Sequence, residues 1–152
     1  SLISEEKPGY IVPDLLVKKR DGHWKVILNP ECLPKVNINS TYASLIKSSQ
    51  DPSDTNYLKT NLKEAKWFLK SIQSRQETLL RVAEYIVAYQ QPFFEQGEEA
   101  MKPLILKDVA ETLQLHESTI SRVTKQKYLM TPKGTYELKF FFSSHISSNN
   151  GQ

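Results

Sequence analysis

From residue 54 to residue 91 the chain contains neither glycine nor proline, and no other stretch limits its fold as strongly. In heptad register one set of positions is Leu62, Leu69, Gln76, Ala83 and Gln90, and its partner set is Ala65, Ile72, Leu79, Ile86 and Phe93. Eight of these ten are apolar, and apolar residues at that spacing line one side of a helix. The pattern predicts one long amphipathic helix over about 54–91 rather than several short ones. Asn61 and Glu64 stand at capping-box spacing. Thirty helical residues at about 1.5 Å each would span roughly 45 Å. Trp67, Phe68, Leu80, Val82 and Val87 lie off the stripe, more apolar surface than one seam requires. Two arrangements are open: a core helix packed on the rest of the chain, or a lever projecting from the amino-terminal region and docked partly on another protein. A fold-back near Ser71 to Arg75 would give a compact bundle instead. Pro92 kinks or ends the helix, Phe93 and Phe94 add an aromatic anchor, and Gly97 supplies a stop.

Residues 106 to 125, LKDVAETLQLHESTISRVTK, have the pattern of a helix-turn-helix. Val109, Ala110 and Leu113 form the apolar face of a first helix, with Ala110 small enough for a close crossing. Leu115 plugs the corner, and Ile120 and Val123 form the inner face of a second helix. Burial between the two helices is expected for Leu113, Leu115, Ile120 and Val123. Gln114 occupies the turn position usually held by glycine and must take an uncommon backbone conformation. The outer face of the second helix carries Glu117, Ser118, Thr119, Ser121, Arg122 and Lys125, groups that reach base edges and phosphates in a major groove.

Two hairpins flank these helices. LLVKKR and WKVILN surround Asp21-Gly22, residues that tolerate the positive φ of a tight primed turn. A third strand through Lys35 to Asn39 and a short helix over 40–50 are expected to follow. At the other end, Thr131-Pro132-Lys133-Gly134 makes a turn between Tyr128-Leu129-Met130 and Tyr136 to Phe140, a candidate wing. The predicted class is mainly α with small β-hairpins, a long helix linking an amino-terminal hairpin region to a winged helix-turn-helix. The boundaries expected are 1–53 for the hairpin region, 54–97 for the extended helix, 98–143 for the helix-turn-helix with its wing, and 144–152 for a flexible tail rich in Ser, Asn and Gly.

The net charge of +3 is modest, but its distribution is not. Between 122 and 139, Arg122, Lys125, Lys127, Lys133 and Lys139 face Glu137 alone. A basic stripe beside a recognition helix is the electrostatic footprint of phosphate contact. The lone Cys32 excludes an intramolecular disulfide and fits a reducing compartment, with the cytoplasm as default. No apolar run approaches the roughly 18 residues of a membrane span. His23, His116 and His145 are scattered, no glycine-rich phosphate loop occurs, and no metal-ligand spacing is present. Neither an enzyme, nor a cofactor, nor a metal site is expected.

Taken together, LHESTISRVTKQKY followed by TPKGTYELKFFFS closely resembles the sigma-54 family of bacterial transcription factors. The matching positions are His116 to Arg122, Thr131, Pro132, Gly134, Glu137 to Lys139, Phe141, Phe142 and Ser143. The run from Leu62 to Val82 is similar to that family's extended helix, and PDLLVKKRDGHWKVILN resembles the end of its core-binding region. The resemblance implies promoter DNA and core RNA polymerase (β and β′ subunits) as partners. It places the helix-turn-helix near the minus-twelve promoter element, where Arg122 matches an arginine implicated at the fork. It also implies an activator ATPase that acts through parts of the family's proteins not matched here. The chain therefore reads as a piece of a longer protein, expected to be monomeric and to bind DNA weakly by itself.

On this reading Arg122 contacts a base edge while Lys125, Lys127 and Lys133 contact phosphates. The competing function is a free-standing helix-turn-helix regulator that dimerises through the long helix and binds a palindrome. A third class, a protein-docking module whose helix pair is only scaffold, fits the Ser-Thr-Ser-Arg outer face poorly.

Overall fold

A computed structural model of the protein describes residues 11–33 and 51–143. The strand expected at Lys35 to Asn39, the helix expected over 40–50, the lead-in at 1–9 and the tail at 144–152 lie outside the described residues. Within them the chain divides into two compact units, 11–33 with 77–143, and 51–76.

The long helix exists. It runs as α1 from Pro52 to Tyr89, 38 residues without interruption, so no fold-back occurs near Ser71 to Arg75. Its start is set further upstream than Asn61, which lies well inside the helix. Pro52 occupies the first turn, where its missing N–H costs nothing, and the Ser53 N–H donates to Asp51 Oδ1 at 3.0 Å. At the other end Pro92 does end the helix: α2, Gln91–Gln96, begins immediately with that proline in its first turn. Gly97, at φ 101°, then stops α2, with its N–H donating to the Phe93 carbonyl at 2.8 Å.

In the 51–76 unit Tyr57, Trp67 and Phe68 are exposed, Trp67 by 72%. From Glu77 onward the same helix becomes a core element, and Leu79, Val82, Ala83, Ile86 and Val87 are buried. The helix is thus core along one part and uncovered along another.

The larger unit is organised by one four-stranded sheet. Leu15–Arg20 (β1) and His23–Leu28 (β2) form the expected hairpin, with Asp21 (φ 53°) and Gly22 (φ 81°) as its primed turn. Tyr128–Thr131 (β3) and Gly134–Glu137 (β4) form the second. The two do not stand apart as the sequence suggested. Their order is β2-β1-β3-β4, with β1 parallel to β3 and Leu15 and Leu16 opposite Leu129 and Met130. An isolated two-stranded hairpin is marginal in water, and joining the pairs buries Leu15, Val17, Val26 and Leu129 on one shared face.

Asp14 locks the junction. Its N–H donates to the Tyr128 carbonyl, and its Oδ2 accepts from the Tyr128 N–H, both at 2.9 Å. The picture of a lever holding the hairpin away from the helix-turn-helix is therefore corrected. Hairpin and wing are one sheet, made by strand pairing more than 100 residues apart in sequence.

The segment expected to continue the second wing strand as far as Phe140 instead leaves the sheet after Glu137 and turns as a 3-10 helix, Leu138–Phe141. That turn drives Leu138, Phe141 and Phe142 into the core. Phe93 is the hub they meet: its ring lies 5.1–6.1 Å from those of Phe94, Tyr136, Phe140 and Phe141. Edge-to-face aromatic contacts of this kind add about 0.5–1.5 kcal/mol per pair beyond area burial.

Candidate nucleic-acid interface

The helix pair forms as the sequence predicts. Leu106–Leu113 (α3) and Glu117–Thr124 (α4) are joined by a three-residue turn. Gln114 takes the left-handed conformation, φ 57° and ψ 47°, in the place of the usual glycine. The turn is closed by two hydrogen bonds, from the Leu115 N–H to the Ala110 carbonyl at 2.9 Å and from the Gln114 N–H to the Glu111 carbonyl. This Schellman pattern satisfies carbonyls that the end of α3 would otherwise leave open. From α1, Arg81 Nη2 donates to the Leu113 carbonyl at 3.1 Å, placing a cation at the negative end of α3. The sequence offered no signal for Arg81, because its partner is a carbonyl 32 positions away.

Between the helices, burial is narrower than expected. Val109, Ala110 and Ile120 are buried, whereas Leu113, Leu115 and Val123 are only partly buried against the core. Two helices of eight residues cover one another at the crossing point, and the apolar residues towards their ends keep an open flank. Thr124 is the buried residue not foreseen. Its Oγ1 donates to the Ile120 carbonyl at 2.8 Å, so its polar atom is satisfied within the helix.

The outer face of α4 is free. Glu117, Ser118, Ser121, Arg122 and Lys125 are exposed, and Thr119 is half-buried at the edge of that face. Ser118, Ser121, Arg122 and Lys125 follow i, i+3, i+4, i+7 spacing and share one side of the helix. Arg122 Nη2 lies 3.5 Å from Ser118 Oγ, a contact loose enough for the guanidinium to exchange for a ligand. His116 is the residue before the helix. Its carbonyl accepts from Thr119 and Ile120, and its side chain makes no cap bond.

The other predicted site residues are more dispersed. Lys127 is half-buried in the link from α4 to β3, and Lys133 is exposed in the wing turn. Lys133 lies in the field of Glu95, which is already hydrogen-bonded by Lys19 Nζ at 2.8 Å and Trp24 Nε1 at 3.0 Å. Those two hydrogen bonds, chiefly that of Lys19, hold the Glu95 carboxyl below its ordinary range. One further lysine joins the helix. Lys139 lines a shallow pocket with Lys125, Ser121, Thr124, Leu106 and Phe142. It belonged to the basic run in the sequence, but only the 3-10 turn after β4 brings it to α4. Among the described residues no group of His, Cys, Asp and Glu could hold a metal ion, and no helix is long and apolar enough to cross a membrane.

The exposed polar and basic face of α4 thus follows a left-handed turn and precedes the β3-β4 wing. Residues 55–152 match the family described as Sigma-54, DNA binding domain, and residues 1–42 match Sigma-54 factor, core binding domain. The chain belongs to the sigma-54 family. It is 56% identical to the RNA polymerase sigma-54 factor of Vibrio anguillarum, over 98% of this chain and 30% of that protein. It is 52% identical to that of Shewanella violacea, over 98% of this chain and 30% of that protein. For the Escherichia coli K12 factor the identity is 51%, over 98% of this chain and 31% of that protein. The chain thus spans about three tenths of these sigma-54 factors' length. Among solved structures it is similar to Aquifex aeolicus sigmaN bound to promoter DNA, with TM-score 0.62 and 33% identity, over 88% of this chain and 40% of that one.

Proposed function

We propose that this sigma-54 segment binds promoter DNA near the minus-twelve element through α4 and its flanks, and holds core RNA polymerase through its core-binding portion, as part of a bacterial transcription initiation factor working in the cytoplasm. The observation that carries the reading is the free face of α4. Side chains in the first turns of a recognition helix reach deepest into the major groove, and Ser118, Ser121 and Arg122 occupy those turns. Arg122 is assigned a base edge, and Lys125, Lys127 and Lys133 are assigned phosphates. Glu117 and Thr119 flank the groove face. The action of an activator ATPase is assigned to regions of the family's proteins beyond this segment.

The exposed Trp67 and Phe68 on α1 are consistent with a protein or nucleic-acid partner along the long helix, since clustered exposed aromatics usually mark a missing surface. Promoter binding measured with and without core polymerase tests the reading. Affinity for a matched promoter is expected to rise strongly when polymerase is added, with the chain itself monomeric in sedimentation. A stable dimer binding a palindrome tightly without polymerase would instead establish the free-standing regulator.

A further inference from the structure

The sheet has a second face, and its hairpin end is basic. Alternation along β1 and β2 sends Leu15, Val17 and Val26 inward, and so turns Leu16, Lys18 and Arg20 of β1 and His23, Lys25 and Ile27 of β2 outward. In the observed register Lys18 stands directly opposite Lys25, and Arg20 opposite His23. All four are exposed, and none of the three Lys and Arg side chains enters an ion pair among the described residues. Asp21, in the turn, is the nearest acidic residue in sequence. Like charges directly across a sheet are destabilising, so this grid works against the hairpin's own stability.

The opposite side of the same hairpin end is held firmly. Lys19 and Trp24 both bind Glu95 of α2, and the Trp24 ring packs 5.5 Å from that of Phe94. Pairing of β1 with β3 stops at Leu16, so residues 17–20 have β2 as their only strand neighbour. The result is a rigid, braced tip that presents unpaired cations.

We infer that the outward face of the β1-β2 hairpin tip, Lys18, Arg20 and Lys25 with His23, is a second DNA contact that grips the phosphate backbone of the duplex engaged by α4. This rests on the proposed promoter binding. Charge selects a polyanion, since three exposed cations without ion-pair partners lie together on this face. Geometry selects the same duplex, because hairpin, wing and helix-turn-helix share one compact unit and β1 is hydrogen-bonded to the strand that follows α4. The contact is sequence-independent and adds affinity, whereas α4 adds preference. It also gives a DNA role to a hairpin inside the portion matched as core-binding.

Lys25→Glu separates this role from folding. It replaces a repulsive cross-strand pair with an attractive one, so the thermal midpoint of the chain should rise, while binding to a long promoter duplex weakens. The slope of log affinity against log salt should fall by about 1 for K25Q, and by about 2 for K18Q/K25Q or for K25E, which removes one cation and pairs the other, since each phosphate contact contributes about 0.9. Scrambled and matched duplexes should lose affinity equally, and a duplex trimmed to the helix-turn-helix's own contacts should lose little. An unchanged salt slope on the long duplex overturns the inference. If that slope is unchanged while core polymerase binding drops, the face docks an acidic protein surface instead. Failure of promoter binding itself would show in the unsubstituted chain, and so is distinguishable from failure of this contact.

Discussion

Gln90 and Lys102 are joined by two hydrogen bonds, one in each direction: Gln90 Nε2 donates to the Lys102 carbonyl at 2.6 Å, and the Lys102 N–H donates to Gln90 Oε1 at 2.8 Å. The same Nε2 also reaches the Phe141 carbonyl at 3.2 Å. Gln90 is fully buried where α1 ends, so one amide ties together the long helix, the lead into α3 and the turn after the wing. Gln90→Leu would keep approximate volume but strand one backbone donor and weaken two carbonyls. At about 1–3 kcal/mol for each buried group left unsatisfied, a loss of about 3 kcal/mol or more is expected in urea unfolding. A loss below about 1 kcal/mol would mean that water replaces the amide.

Gln114 predicts a change in the opposite direction. A non-glycine residue in the left-handed region carries roughly 1–2 kcal/mol of strain. Glycine relieves it at some entropic expense in the unfolded chain. Gln114→Gly should therefore raise stability, by about 0.5–1 kcal/mol, with DNA preference unchanged. A lower denaturation midpoint would show that the Gln114 side chain contributes more than its backbone costs.

Burial ranks the residues of the helix pair. Ile120→Ala, at a fully buried position, should cost about 2–5 kcal/mol. Leu113→Ala should cost less, because Leu113 already touches solvent, and Thr119→Ala less again. Chemical denaturation of the three variants gives the order directly. A larger loss at Thr119 than at Ile120 would mean that α4 presents the opposite face.

Much of this was legible because it is local. The glycine- and proline-free run gave α1, Asp21-Gly22 gave the first hairpin, and the apolar spacing from Val109 to Val123 gave the helix pair. The polar heptad position Gln90 stood out in the pattern, but its carbonyl partners did not. What stayed hidden depends on distant pairing: the β1-β3 junction through Asp14 and Tyr128, and the Arg81 bond to Leu113. Neither leaves a periodic trace. The turn of Leu138 to Phe141 out of the sheet was hidden for another reason. Aromatic-rich segments suit strands, and only the Phe93 cluster turns this one into the core. For the candidate site, the α4 face followed from the helical period. The surroundings of Lys133 and Lys139 did not, since both are set by how the wing folds back.

The Glu95 carboxyl is held below its ordinary range, first by the hydrogen bond from Lys19 and then by that from Trp24. A depressed carboxyl pKa stabilises the fold above the unfolded-state pKa, and that contribution fades as pH falls through the lower folded-state value. The group is exposed, so the effect on global stability should be small. It should be visible locally. The Trp24 indole N–H resonance is expected to move on acidification with a midpoint below the usual glutamate range, and Glu95→Gln should abolish the titration. A midpoint at or above the ordinary value would show that the Lys19 contact does not persist in solution.

Arg122 and Lys125 occupy one helix face but are expected to fail differently when removed. Arginine can present two parallel donors to guanine O6 and N7, a match worth roughly 1–3 kcal/mol of discrimination. A lysine on a phosphate contributes charge without sequence information. Arg122→Ala should therefore flatten preference at one base step, with matched promoters losing about 5- to 150-fold against much smaller losses on scrambled ones. Lys125→Ala should weaken every duplex alike and lower the salt slope by about 1. Lys139 shares a pocket with Lys125, so Lys139→Ala should follow the lysine pattern rather than the arginine one. Competition binding against a panel of single-step promoter variants, repeated at several salt concentrations, reads both quantities together. Equal losses on matched and scrambled DNA for Arg122→Ala would remove it from base readout and leave α4 as a phosphate-binding helix.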